Sequence, residues 1–199
     1  MGWPPAPGGG PGYDRPDTTA REHTGPAGAA YAALRLSGGT GPALMGVPAD
    51  AVRDRTVCLE DLWPAGEARV LTERVEAQPV AALERWALRR VATHPPDPLG
   101  ASVLALAAAG IPVSDMASQL GLSSRQLHRR CLTLFGYGPR RLIRVLRLGR
   151  MLDKGRSGTS LGQMAYACGY ADQAHLSREV RELAGTTPTR LLADLVSGG

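Results

Sequence analysis

Gly169-Tyr170-Ala171-Asp172-Gln173-Ala174-His175-Leu176-Ser177-Arg178, followed by Gly185-Thr186-Thr187-Pro188, decides the fold, because much of it already occurs upstream. Leu161, Met164, Ala165 and Gly169 repeat Val113, Met116, Ala117 and Gly121 at an offset of 48 residues. Past the turn the offset becomes 49, where Asp172, Leu176, Arg178, Val180 and Leu183 match Ser123, Leu127, Arg129, Cys131 and Leu134. The run Gly185-x-x-Pro188-x-Arg190-Leu191 likewise repeats Gly136-x-x-Pro139-x-Arg141-Leu142. A duplicated supersecondary unit tolerates a one-residue insertion best inside its turn.

Each copy reads as a helix-turn-helix. A short helix ends at Gly121 or Gly169, which can take a left-handed conformation without a Cβ clash. The next helix opens on Ser123 or Asp172, whose side-chain oxygen can accept from a free backbone N–H. Ala117 and Ala165 are small where two helices must cross closely. Leu127, Cys131 and Leu134 recur at i, i+4 and i+7 and predict a buried stripe, as do Leu176, Val180 and Leu183.

The opposite face carries the candidate chemistry. The first copy presents Arg125, His128 and Arg129, and the second presents Ala174, Ser177 and Arg178, with Gln173 at the helix start. Arginine can donate two hydrogen bonds to guanine, glutamine can pair with adenine, and serine reads less selectively. Singly, such residues are ordinary solvated helix surface; in a duplicated helix-turn-helix they point to base reading. Between the copies Pro139 opens a helix expected to run to Lys154, with Leu142, Val145, Leu146 and Met151 as its buried stripe. Of its arginines, Arg140 and Arg141 lie near the helix N-terminus, where anions are favoured, and with Ser123 they are the phosphate candidates.

The charge distribution agrees. The chain has 199 residues and a formal net charge of +5. Residues 1–98 hold 10 basic against 12 acidic side chains, and residues 99–199 hold 13 against 6. A basic half beside a near-neutral one suits a polyanion partner. Cys58, Cys131 and Cys168 are odd in number and far apart, as expected of reduced thiols in a cytoplasm. No apolar run follows a basic start, and no stretch nears the ~20 apolar residues of a membrane span, so neither a signal peptide nor a membrane partner is expected.

Upstream, residues 1–28 form a Pro/Gly tail expected to be disordered. Residues 29–97 read as a small α+β or helical segment. A strand is expected over Tyr31–Leu36, with helices over Ala65–Ala77 and Val80–Ala92. The segment is either a helical appendage or the end of a larger domain, and one candidate strand cannot close a barrel around a small-molecule effector. His94-Pro95-Pro96-Asp97-Pro98 then marks a boundary.

At the residues of its second copy the chain resembles the AraC/XylS family of bacterial transcriptional regulators, over about residues 98–195. The resemblance implies an all-α C-terminal domain of about seven helices, in which a long linker helix joins two helix-turn-helix units. It implies two recognition helices entering successive major-groove segments of double-stranded DNA, about 34 Å apart. The base readers carried over by position are Arg125, His128, Arg129, Gln173, Ser177 and Arg178. RNA polymerase is a further implied partner, with no metal, cofactor or catalytic residue. The chain departs from the family pattern at Cys131 and Val180, at Leu191-Leu192 and at Lys154-Gly155, and the last puts the rigidity of the linker in question. Gly41–Pro48 and Leu59–Trp63 resemble the end of a sensor domain in one branch of the family.

Two other classes stand beside transcription regulation. Some DNA-repair alkyltransferases carry a similar domain, but they cluster cysteines as zinc ligands and methyl acceptors; here no such cluster, histidine–metal spacing or phosphate loop is legible. A protein-interaction module that has lost DNA binding is the other, and the retained Arg129 and Arg178 argue against it.

Overall fold

The computed structural model describes residues 12–13, 32–155 and 159–197. Among them are ten α-helices and one two-stranded antiparallel pair, β1 (Gly12–Tyr13) with β2 (Val57–Cys58), in the register Gly12 opposite Cys58. The C-terminal domain is all-α with seven helices, as expected: α4 (Pro98–Ala108), α5 (Val113–Gln119), α6 (Ser124–Phe135), α7 (Pro139–Gly155), α8 (Leu161–Ala167), α9 (Gln173–Ala184) and α10 (Pro188–Ser197).

The two repeats close their turns with the same hydrogen bonds. After α5, Gly121 takes φ +65° and Leu122 N–H donates to Ala117 O at 2.9 Å; after α8, Gly169 takes φ +77° and Tyr170 N–H donates to Ala165 O at 2.9 Å. This six-residue closure satisfies helix-end carbonyls, and the positive φ calls for glycine. α6 then starts on a reciprocal cap: Ser123 Oγ accepts from Gln126 N–H, and Gln126 Oε1 accepts from Ser123 N–H. α9 starts on Asp172, whose Oδ1 accepts from His175 N–H at 2.6 Å. Leu127, Cys131, Leu176 and Val180 are fully buried, and Leu134 and Leu183 nearly so.

Two cores result. The first joins Val103, Met116, Leu127, Phe135 and Leu142; the second joins Met151, Met164, Cys168, Tyr170, Leu176 and Val180. α7 belongs to both, contributing Leu142, Ile143 and Leu146 to one and Leu148, Met151 and Leu152 to the other. Val145, expected in a single stripe, is half-buried, because the helix is flanked from two directions along its length.

The N-terminal part has its own core of Leu44, Met45, Leu59, Trp63, Ala68, Leu71 and Ala87. It is built from α1 (Gly41–Met45), α2 (Ala65–Ala77) and α3 (Pro79–Thr93), with 3-10 turns at Ala49–Val52 and Leu59–Asp61. Gln78 leaves helical geometry for one residue, and α2 and α3 pack together across it. The strand expected over Tyr31–Leu36 does not form. Tyr31 lies outside the described residues, and 32–36 is irregular. Its alternation survives, with Leu34 and Leu36 half-buried against the N-terminal core, but without a ladder partner the pattern is not a strand. Of the expected Pro/Gly tail, Gly12 and Tyr13 are described, paired with β2; its other residues lie outside the described set.

Packing crosses the boundary expected at residue 98. The Ala49–Val52 turn and α1 lie against α6. Gly39 passes over the Phe135 ring, where a Cβ would sit 3.2 Å from Cε1. Arg53 Nη1 donates to Gly136 O at 3.1 Å, on the residue that caps α6. The first helix-turn-helix is therefore braced from outside its own repeat.

Candidate nucleic-acid interface

A helix turns 100° per residue, so the cores of α6 and α9 fix which side chains face outward. On α6, Arg125 and Arg129 point away from Leu127, Cys131 and Leu134, and both are exposed. On α9, Ala174 and Arg178 hold the same places and are exposed, as is Gln173 at the helix start. His128 and Ser177 sit on the flank, about 100° from the central core leucine. Ser177 is half-buried. The His128 ring lies against the loop after α6, where a Cβ on Gly138 would meet Cε1 at 2.6 Å.

Arg181 is a candidate missed in the sequence. It is exposed, and Ala174, Arg178 and Arg181 share i, i+4, i+7 spacing on the outward face of α9. The repeat concealed it, because the matching residue of α6 is Leu132.

The phosphate candidates divide. Arg140 is exposed in the first turn of α7. Arg141 is half-buried, and its Nε is buried without a hydrogen-bond partner among the described residues. Ser123 is engaged as a cap, which uses its oxygen as acceptor and leaves its hydroxyl proton to donate.

The other linker arginines are structural ties. Arg144 Nε donates to Glu179 Oε2 at 2.9 Å, and Arg144 also pairs with Glu182. Burial alone would lower the pKa of Arg144, and its hydrogen bonds to Glu182 and Glu179 more than offset that, so its charge is held more firmly than usual. Arg147 Nη1 donates to Gly169 O at 3.2 Å, and its guanidinium lies 5.0 Å from the Tyr170 ring centre. Arg150 Nη1 donates to Ala108 O at 3.1 Å, tying α7 back to α4. These bonds answer the question raised by Lys154-Gly155: the helix continues to Gly155 and is held to both units.

Burial pushes the Cys131 thiol up to about 11 and also raises that of Cys168, the reverse of what a nucleophile needs. Among the described residues no group of three or more His, Cys, Asp and Glu side chains could hold a metal ion, and no helix is long and apolar enough to cross a membrane.

Residues 116–194 match the family model of a helix-turn-helix domain. No curated protein matches the chain. Among solved structures, a probable AraC family transcriptional regulator from Rhodopseudomonas palustris CGA009 is similar at 23% identity, over 46% of this chain and 92% of that one, with a TM-score of 0.40. ToxT from Vibrio cholerae strain SCE256, crystallised with an unsaturated fatty acid, is similar at 18% identity, over 67% of this chain and 53% of that one, with a TM-score of 0.44. The chain thus spans about half the length of ToxT. The domain match supports a DNA-binding transcription regulator.

Proposed function

We propose that the protein is a sequence-specific regulator of transcription that sets α6 and α9 into successive major-groove segments of duplex DNA. One observation carries this reading: the same turn and capped helix are built twice on one linker helix, each with exposed arginine opposite its core. Arg125 and Arg129 are the base readers of α6, and Gln173, Arg178 and Arg181 those of α9, with His128 and Ser177 at the edges of the two faces. Arg140, Arg141 and Ser123 meet phosphate. Residues 98–197 are the DNA-binding domain, and residues 29–97 a partial sensor-like or linker segment. The site of action is the bacterial cytoplasm, RNA polymerase is a further partner, and the reading assigns no small-molecule effector.

Duplex binding by the full chain tests it, because residues 37–53 brace α6. Affinity is expected to fall steeply with added salt as phosphate contacts release counterions. Arg140→Ala should weaken all sequences alike and lower the salt slope by about 1. A folded chain without duplex affinity at low salt would overturn the reading in favour of a protein-interaction module.

A further inference from the structure

We propose that Glu179 is a positioning residue: it locks the second recognition helix onto the linker, and thereby sets the separation between half-contacts that the protein accepts on DNA. The spacing part of this inference rests on the two-helix reading above.

Glu179 lies on the core side of α9 and is 5% exposed, a buried carboxylate among Leu176, Val180 and Leu183. A buried charge is costly unless paired with good geometry. Its charged partners come from α7 and from α9 itself, and Tyr170 of the turn also interacts with it. Arg144 Nε donates to Oε2 at 2.9 Å, and Arg147 Nε stands 3.6 Å from Oε1 as an ion pair without a hydrogen bond, both from α7. His175, on the same helix, has Nε2 3.9 Å from Oε2, while its Nδ1 accepts from Ala171 N–H. Arg147 also holds Gly169 O and covers Tyr170, so the turn and the recognition helix meet one linker residue. Apolar packing is non-directional and tolerates small slips, whereas a guanidinium donates to a carboxylate along fixed directions. The core makes α9 stable; the ion cluster fixes its orientation.

The first repeat carries a more exposed counterpart with the charges exchanged. At the offset of 49, Glu179 matches Arg130, and Arg130 Nη2 pairs with Asp97 Oδ2 at 2.7 Å. Asp97 caps α4, the helix that precedes the first unit as α7 precedes the second. At the offset of 48, Asp97 falls on position 145, between Arg144 and Arg147. Each recognition helix is thus keyed by charge to the helix before it. The exchange also disfavours the wrong assembly, since Arg130 facing the arginines of α7 would be repelled.

The test uses the full chain with Glu179→Gln, which keeps shape and loses charge, and Arg144→Lys, which keeps charge and loses the fork. The first readout needs no DNA. Spin labels at Ser118→Cys on α5 and Tyr166→Cys on α8, in a Cys58→Ser background, report the distance between the units. A narrow distribution is expected without the node substitutions and a broadened one in both variants. The second readout takes a duplex selected from a randomised library by the full chain and inserts or deletes one base pair between its two protected segments. One base pair turns a half-site by about 35°, so the chain carrying Glu179 should lose about tenfold or more, and both variants about threefold or less. Equally narrow distances with equal spacing penalties, even at uniformly lower affinity, would overturn the proposal. If no duplex is selected, the DNA reading and the spacing clause fail together, while the distance distributions still decide whether Glu179 fixes orientation.

Discussion

The two helix-turn-helix units share a backbone plan and differ in what holds them. The first is closed by apolar packing and by a segment from outside the repeat: Phe135 under Gly39, and Arg53 on the carbonyl that caps α6. The second draws its core side chains from its own helices and α7, and is tied to the linker by Glu179, Arg144 and Arg147. Duplication preserved the local signals (caps, turn glycines, core leucines), while the longer-range supports diverged. A repeat therefore specifies how each unit folds, and its surroundings specify how firmly each is placed.

The largest expected effect sharpens that contrast. Leu127→Ala and Leu176→Ala each empty a fully buried site, and each should cost about 2–5 kcal/mol by denaturant unfolding. Hydrogen exchange should separate them. Leu176→Ala should lose protection across α8–α10 while α4–α6 keep theirs, and Leu127→Ala should loosen residues 37–53 together with α4–α6. Matching exchange patterns would erase the distinction between the two modes of support.

Cys131 offers a smaller effect at a position where the second unit has Val180. Burial raises its thiol from an ordinary 9.0 to about 11, so the folded chain keeps a proton that the unfolded chain releases. Stability from this group is complete below pH about 9 and is lost as pH climbs toward about 11, by an amount on the order of 2 kcal/mol. Cys131→Val should flatten the fall in stability over that window. Burial also raises Cys168 and Tyr137, so a shallower slope should persist. An unchanged slope in Cys131→Val would mean that the alkaline loss arises elsewhere.

Most of the fold was legible because its signals are short-ranged. Helical periodicity gave the α2 bounds and both core stripes, and Ser123 and Asp172 named the caps. What escaped depends on partners distant in sequence. The linker arginines look equivalent along α7, yet Arg144 meets a carboxylate 35 residues on and Arg150 a carbonyl 42 residues back. Residues 32–36 alternate like a strand, and no local pattern could say that the ladder partner is missing. Arg181 has no counterpart in the first copy, where Leu132 stands, so the repeat that marks its neighbours does not mark it.

On DNA, the two faces should contribute unequally. Arg129→Ala removes a side chain able to make two hydrogen bonds to guanine, worth about 1–3 kcal/mol of base discrimination, and should relax specificity more than Ser177→Ala. Arg181 narrows the gap by giving α9 a second long cation. Base substitutions under α6 should still hurt more, because Arg125 and Arg129 both lie in the first half of the helix, which meets base edges, whereas there α9 has Gln173 and one arginine, Arg181 lying further along. A base-substitution series across the bound site, with both variants, checks this; equal penalties under both helices would refute the asymmetry.

The smallest expected effect concerns His128, which sequence position makes a base reader equal to Arg129. Its place is the flank of α6, with its ring against Gly138, so a base edge met by Arg129 lies about 100° around the helix from it. His128→Ala should therefore change affinity by about threefold or less, below the cost of losing a bidentate contact. Gly138→Ala probes the same contact from the other side. Its Cβ would stand 2.6 Å from Cε1, too close to keep, so the ring must swing away from the loop. That movement involves the far end of a side chain and should cost no more than about 1 kcal/mol of stability, the scale of a rotamer shift. The histidine ring resonances should move in the NMR spectrum while those of Arg129 stay in place. If Gly138→Ala, by releasing the ring toward solvent, tightens duplex binding, His128 is a reader held in reserve by the loop. If His128→Ala alone costs as much as Arg129→Ala, the ring already reaches the DNA and the flank assignment is wrong.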